Sequence, residues 1–126
     1  MKVTMPGEIA TYQVGSKMLL RKDGKILFLK CDDEKWDLPG GRIDAIEHLV
    51  RLEDILAREI REELGPEVRY RVVKPAVHFR RYYRKIDKHI FLVAFEAEHE
   101  SGDIALSHEH IGHEWIDPAD FQLKGV

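Results

Sequence analysis

The sequence predicts an α/β domain in which a mixed β-sheet is covered by helices. Three observations predict it. The chain has 126 residues and 44% hydrophobic content, enough for one compact core and too little for two. β-rich runs both precede and follow a single stretch of helical periodicity. No repeat, low-complexity tract or linker divides the chain, so residues 1–126 read as one domain.

The first element is a hairpin. "KMLLRKDGKILFLKC", residues 17–31, sets two β-rich runs around Asp23-Gly24, a pair suited to the positive φ values of a two-residue turn. In "WDLPGGRID", residues 36–44, Pro39 and the pair Gly40-Gly41 force an irregular turn. From about Leu49 to Leu64 the apolar residues recur at helical spacing, and Gly65-Pro66 is a stop, although no good N-cap marks the start. Three strand candidates follow: "VRYRVV" at 68–73, "AVHFRRYY" at 76–83 and "HIFLVAFEAEH" at 89–99. A polar loop over 100–110 leads to the strand "HEWID", and "PADFQL", residues 118–123, resembles the first turn of a helix whose tail would lie beyond the chain.

Composition removes several classes of function. No apolar run approaches the ~20 residues needed to cross a bilayer, and the first residues lack the apolar centre of a secretory signal, so a cytoplasmic protein with no membrane role is expected. Cys31, the one cysteine, has no disulfide partner and no second thiolate for a metal. The net charge of -3 gives no general attraction to nucleic acid; DNA is not an expected partner, and RNA would need a local basic site.

"AREIREELGPE", residues 57–67, is less ordinary. At about 100° per residue, Leu52, Ile55, Leu56 and Ile60 fall on one side of the helix, and Glu59 and Glu63 project into that apolar sector with Glu62 at its flank. Asp54 and Arg61 lie outward. Three carboxylates at i, i+3 and i+4 repel one another, and partial burial adds desolvation, so protonation, basic side chains or a metal ion must compensate. Arg58 and Arg61 offer the plain alternative of a solvated, charge-paired face. Clustered oxygen ligands favour magnesium or manganese over zinc.

The stretch "GGRIDAIEHLVRLEDILAREIREELG", residues 40–65, resembles the Nudix box, in which a glycine, a glutamate after five intervening residues, and an Arg-Glu-aliphatic-any-Glu-Glu-any-Gly run recur at set spacing. The second half matches residue for residue from Arg58 to Gly65, and "WDLPGG" and "LSHEHIGHEWI" resemble the family's flanking segments. Two departures stand out. Ten residues rather than seven separate Glu47 from Arg58, which reads as a three-residue insertion near 48–51, and Pro66 replaces an aliphatic residue. The resemblance implies a Nudix-type α/β/α sandwich with a mixed β-sheet, and a magnesium-dependent hydrolase that sends water to a phosphorus of a nucleoside diphosphate linked to another group. It implies Glu59, Glu62 and Glu63 as metal ligands together with the carbonyl of Gly41, and Glu59 and Glu62 within the catalytic machinery. Arg58 would orient a glutamate and fix the loop. The base would come from the box helix or from a late loop, where Glu109 is the first candidate and Glu114 its rival.

Other residues point toward substrate. "HFRRYYRKIDKH" interleaves aromatic and basic side chains, as a surface for a base and a polyphosphate would, or as a strand with core aromatics and solvated arginines would. Arg81 and Tyr83 are the candidates there; Tyr83, seventeen residues past Pro66, resembles the tyrosine placement in dinucleoside polyphosphate hydrolases. Trp36 stands beside the glycine turn as a third. His108, His110 and His113 match no standard zinc spacing. The partner expected is a small nucleotide, with a homodimer open. A nucleotide-binding sensor without catalysis and an RNA end-processing hydrolase are the alternatives.

Overall fold

The computed structural model describes residues 5–33 and 35–120. The opening hairpin pairs β1, Tyr12–Lys22, with β2, Lys25–Cys31. Asp23 (φ 52°) and Gly24 (φ 77°) both occupy the left-handed region, the geometry that matches the twist of the flanking strands. Two short strands follow, β3 at Trp36–Asp37 and β4 at Gly40–Arg42, and then a 3-10 turn at Ala45–Glu47. The one α-helix among the described residues is α1, Leu52–Leu64, three residues shorter at its start than the periodicity predicts. Arg51 is its N-cap and supplies no side-chain cap, and Gly65 (φ 92°) ends it with its N–H on the carbonyl of Arg61.

Where the sequence suggests two strands at 68–73 and 76–83, the chain forms a single strand, β5, Arg69–Tyr83. It passes Pro75 with shifts of register between Val72 and Val77, which absorb a residue that has no N–H to donate. β6, Lys88–Ser101, and β7, His110–Ile116, complete the set. The sheet order is β3-β2-β1-β6-β5, with β4 on β1 and β7 on β2. β1 and β6 run parallel and the other pairs antiparallel, so the sheet is mixed as expected. The second helical layer of the expected sandwich rests on "PADFQL": Pro118–Asp120 form a 3-10 turn, and the remainder lies outside the described residues.

Strand alternation supplies a core to each face. Leu27 and Leu29 of β2 join Met18, Leu20, Phe95 and Ala97 against Leu56, Ile60 and Leu64 of α1. Ile26 and Phe28, pointing the other way, pack with Leu38 and Ile116. Truncating Leu56 or Ile60 to alanine would cost about 2–5 kcal/mol. That packing fixes the roll of α1, and with it the direction of every other side chain on the helix. Among the described residues no helix is long and apolar enough to cross a membrane.

Candidate active site

With Leu56 and Ile60 seated on the sheet, Glu59 and Glu63 are carried toward the turn that holds β4. Glu63 is only 4% exposed, and its Oε1 accepts the N–H of Gly40 at 2.9 Å. The two glycines make this approach possible. Gly40 has φ +131°, and a Cβ there would lie 2.1 Å from the Ser16 carbonyl oxygen; a Cβ on Gly41 would lie 2.7 Å from the Glu59 carboxylate. β1 fixes the turn's height, pairing Ser16 with Gly41 and Lys17 with Gly40. Lys17 then clamps the turn from below. Its Nζ donates to Asp37 Oδ2 (3.0 Å), the Leu38 carbonyl (3.2 Å) and the Gly40 carbonyl (3.5 Å).

Arg58 joins the remaining acids. Its guanidinium donates to Glu47 Oε2 at 3.0 Å, Glu59 Oε1 at 3.2 Å and Glu62 Oε1 at 3.1 Å. Glu47 also accepts the backbone N–H of Asp44 at 3.0 Å, and this bond, with Arg58, holds its carboxyl below the usual range. Glu47 thus ties the 3-10 turn to the helix from one side of the inserted loop, an attachment that the spacing of the box leaves open. Glu62 is the solvent-exposed member.

The electrostatics follow from burial. Desolvation pushes the Glu63 carboxyl up to about 8, against the Gly40 N–H and the Lys17 ammonium, which favour the charged form; Glu59 and Asp37 add to the rise. Burial also raises Glu59; Arg58 opposes it, and Glu62 and Glu109 reinforce it. The late-loop carboxylate therefore lies within electrostatic reach of the helix cluster. His110 Nε2 is 3.6 Å from Glu63 Oε2, and burial lowers the imidazole's pKa, so at neutral pH this is a contact with a neutral ring rather than an ion pair. Its Nδ1 is buried without a hydrogen-bond partner among the described residues.

A hard divalent cation fits this donor chemistry. Two carboxylates raised by burial and mutual repulsion are the groups a cation would relieve. Among the described residues no three His, Cys, Asp or Glu side chains already stand converged as a metal cluster. The reason is visible in the hydrogen bonds: Arg58 draws Glu59 and Glu62 to itself, while Glu63 is turned to Gly40. Convergence of the helix acids on a cation would ask Glu59 and Glu62 to turn off Arg58 and Glu63 to turn from Gly40.

The other candidates are spread more widely. Glu109 sits in the loop before β7, its N–H on Ser107 Oγ at 3.4 Å, and Glu114 pairs with Phe28 within the sheet. Of the three histidines, His110 lies at the carboxylates and His113 pairs with Leu29 in β7. Trp36 packs on the Phe28 and Leu38 core, with the Lys30 ammonium 5.8 Å from its ring centre. Arg81 and Tyr83 stand together on β5, the guanidinium 4.5 Å from the tyrosine ring centre. Three strand spacings, about 14 Å, separate β5 from β4, so the fold does not bring this pair into the carboxylate cluster. The sequence option of core aromatics on this strand is corrected: Phe79 is 37% exposed and Tyr82 50%, because β5 is the outer strand. Lys17 and His110 are the residues that sequence reasoning missed as parts of the site. A lysine inside an apolar β-run is the one signal that points to Lys17.

Residues 12–126 match the family model described as NUDIX domain. The chain is 29% identical over 115 residues to the nucleoside triphosphatase NudI of Escherichia fergusonii, spanning 81% of this chain and 79% of the relative. Among solved structures it resembles a MutT protein from Methanosarcina mazei, with TM-score 0.67, 27% identity and coverage of 86% of this chain and 78% of the other. It also resembles a MutT NUDIX hydrolase from Burkholderia pseudomallei, with TM-score 0.69, 24% identity and coverage of 85% and 84%, a likeness of fold.

Proposed function

The chain belongs to the NUDIX family, and on that premise we propose that it hydrolyses a pyrophosphate bond in a nucleoside diphosphate linked to a further group, with nucleoside triphosphates the first class to test. One observation carries the reading. Glu59 and Glu63 are packed against the Gly40-Gly41 turn at a desolvation cost that folding alone does not require. The likeness to a relative named nucleoside triphosphatase supports the choice of triphosphates.

The cofactor that suits the donor set is magnesium or manganese, which Glu59, Glu62 and Glu63 would hold with the Gly41 carbonyl. When bound, such an ion neutralises pyrophosphate charge and makes a water more acidic. The chain's own groups do the rest. Arg58, joined to Glu47, Glu59 and Glu62, fixes the direction of the carboxylates and is a positioning residue. Lys17 holds the 37–40 turn so that the Gly40 N–H meets Glu63. Glu109, near enough for its charge to act on Glu59, accepts the proton that the attacking water loses. Arg81 and Tyr83, far from the bond that breaks, are offered to the remote end of an extended substrate, and Trp36 to its flank.

The test is release of phosphate or pyrophosphate from a panel of nucleoside triphosphates, nucleotide sugars and dinucleoside polyphosphates, with and without magnesium. Turnover that requires the metal and favours one class is the expected result. Silence across the panel, with nucleotide binding intact, would make this a binding domain. Turnover confined to 5′-triphosphorylated RNA would move the assignment to RNA ends.

A further inference from the structure

Glu109 rides on a turn whose two ends both meet Glu63. Residues 107–110 close as a β-turn, the His110 N–H donating to the Ser107 carbonyl at 3.3 Å, and the Glu109 N–H reaches Ser107 Oγ at 3.4 Å. At the first end of the turn the Ser107 N–H donates to the backbone carbonyl of Glu63 at 3.3 Å. At the last, His110 Nε2 stands 3.6 Å from Glu63 Oε2. Just upstream, the Ala105 N–H donates to the Leu64 carbonyl at 2.8 Å, so the loop meets two of the carbonyls that the end of α1 leaves open.

We infer that His110 is a positioning residue: its ring pins the end of this turn to Glu63 and so holds the Glu109 carboxylate at the acid cluster of α1. The inference rests on the hydrolytic reading above and says how the base of that reaction is held. Glu109 is exposed, so packing of its own side chain does not fix its place; the turn does. The His110 side chain, by contrast, is only 11% exposed and enters β7 opposite Cys31 of β2. A carboxylate facing Nε2 favours the tautomer that carries its proton there. That leaves the buried Nδ1 as an acceptor with no partner among the described residues. An apolar side chain would fill the same space without stranding a polar atom, so the polar edge toward Glu63, rather than packing, is what the imidazole supplies. The charge of Glu109 is felt at Glu59, which agrees with a turn held close to the helix.

A double-mutant cycle tests this, because residues that act through one another do not add. His110→Phe keeps a ring and loses the polar edge. It should lower kcat at least ~10-fold, while KM and the magnesium concentration for half-activation stay within about twofold. His110→Gln, whose amide N–H reaches about as far as Nε2, should bring turnover back to within about threefold of wild type. In the Glu109→Gln background, His110→Phe should cost less than about twofold more. Losses that add, or a rise in half-activating magnesium as large as the fall in kcat, would overturn the inference, since His110 would then serve the fold or Glu63 as a ligand. Backbone amide exchange of the metal-free chain answers without any activity. His110→Phe should speed exchange at Ser107 at least ~10-fold and leave Ile60 in α1 unchanged, and His110→Gln should keep Ser107 protected. Equal exchange at Ser107 in wild type and His110→Phe tells against the anchor. Faster exchange in a chain that hydrolyses nothing on the panel supports the anchor and defeats the hydrolytic reading alone.

Discussion

Replacing Glu63 by glutamine separates the cost of a buried charge from its use. In the folded chain the Glu63 carboxyl is pushed from 4.5 to about 8, chiefly by desolvation. Below pH 4.5 the group is protonated both folded and unfolded, and it contributes no difference. Between pH 4.5 and about 8 the unfolded carboxyl ionises while the folded one holds its proton, so stability falls as pH rises and levels off above about 8. At 1.36 kcal/mol per unit the full penalty is up to about 5 kcal/mol. Glutamine escapes it and still accepts the Gly40 N–H, but its amide nitrogen needs a partner, which returns about 1–2 kcal/mol. The net gain at pH 8.5 is therefore roughly 3 kcal/mol, a rise of order 10 °C in melting temperature for a chain of this size. Without metal, calorimetry should show Glu63→Gln well above wild type at pH 8.5 and slightly below it near pH 4.5, where only the cost of the amide nitrogen remains. The same variant should lose at least ~100-fold in turnover at saturating magnesium, about 2.7 kcal/mol of barrier. Equal melting temperatures at pH 8.5, or near wild-type turnover, would refute the reasoning.

Magnesium or manganese should raise the melting temperature of the metal-free wild type by mass action, and less in Glu63→Gln; a flat titration to millimolar metal counts against the site. Glu47→Ala removes one of three acceptors on Arg58, so a turnover loss of roughly 3- to 10-fold is expected, with a linkage of about 1 kcal/mol; a loss as large as that of a helix glutamate would mean Glu47 itself touches the reaction. Glu109→Gln should cut turnover at least ~100-fold while leaving the metal concentration for half-activation nearly unchanged, whereas Glu53→Gln on the outer flank should change turnover less than about threefold; steady-state kinetics at several metal concentrations distinguish them.

Local signals were legible and distant ones were not. The Asp23-Gly24 turn and the Leu-Ile stripe of α1 are written within a few residues, so hairpin and helix follow from period and turn chemistry. The same stripe places Glu59 and Glu63 inward, as the structure has them. A proline reads as a break, so the sequence divides β5 at Lys74-Pro75, and only pairing with β6 shows the strand continuing through a register shift. Glu47 and Arg58 are eleven residues apart, and their bond depends on how the inserted loop folds back. The part played by Lys17 depends on pairing with a turn 23 residues on, and that of His110 on a strand that pairs with Cys31 across most of the chain, which no short window of sequence contains.

The parallel pairing of β1 with β6 sets a constraint in time. Every register pair from Tyr12↔His89 to Arg21↔Glu98 joins residues 77 positions apart, and β2 must wait still longer for β7, as in Leu27↔Trp115. Closing such long loops costs entropy before any contact rewards it, so this topology folds slowly for its size. During synthesis the opening hairpin emerges with the edge that β6 will later take still unpaired and apolar, a surface on which nascent chains adhere to one another. β4 hangs on that same β1 strand, and His110 arrives with β7, so the carboxylate site is among the last features to become ordered. Variants that slow the docking of β6 should therefore reduce the yield of active protein through aggregation during production, while molecules that do mature keep normal turnover.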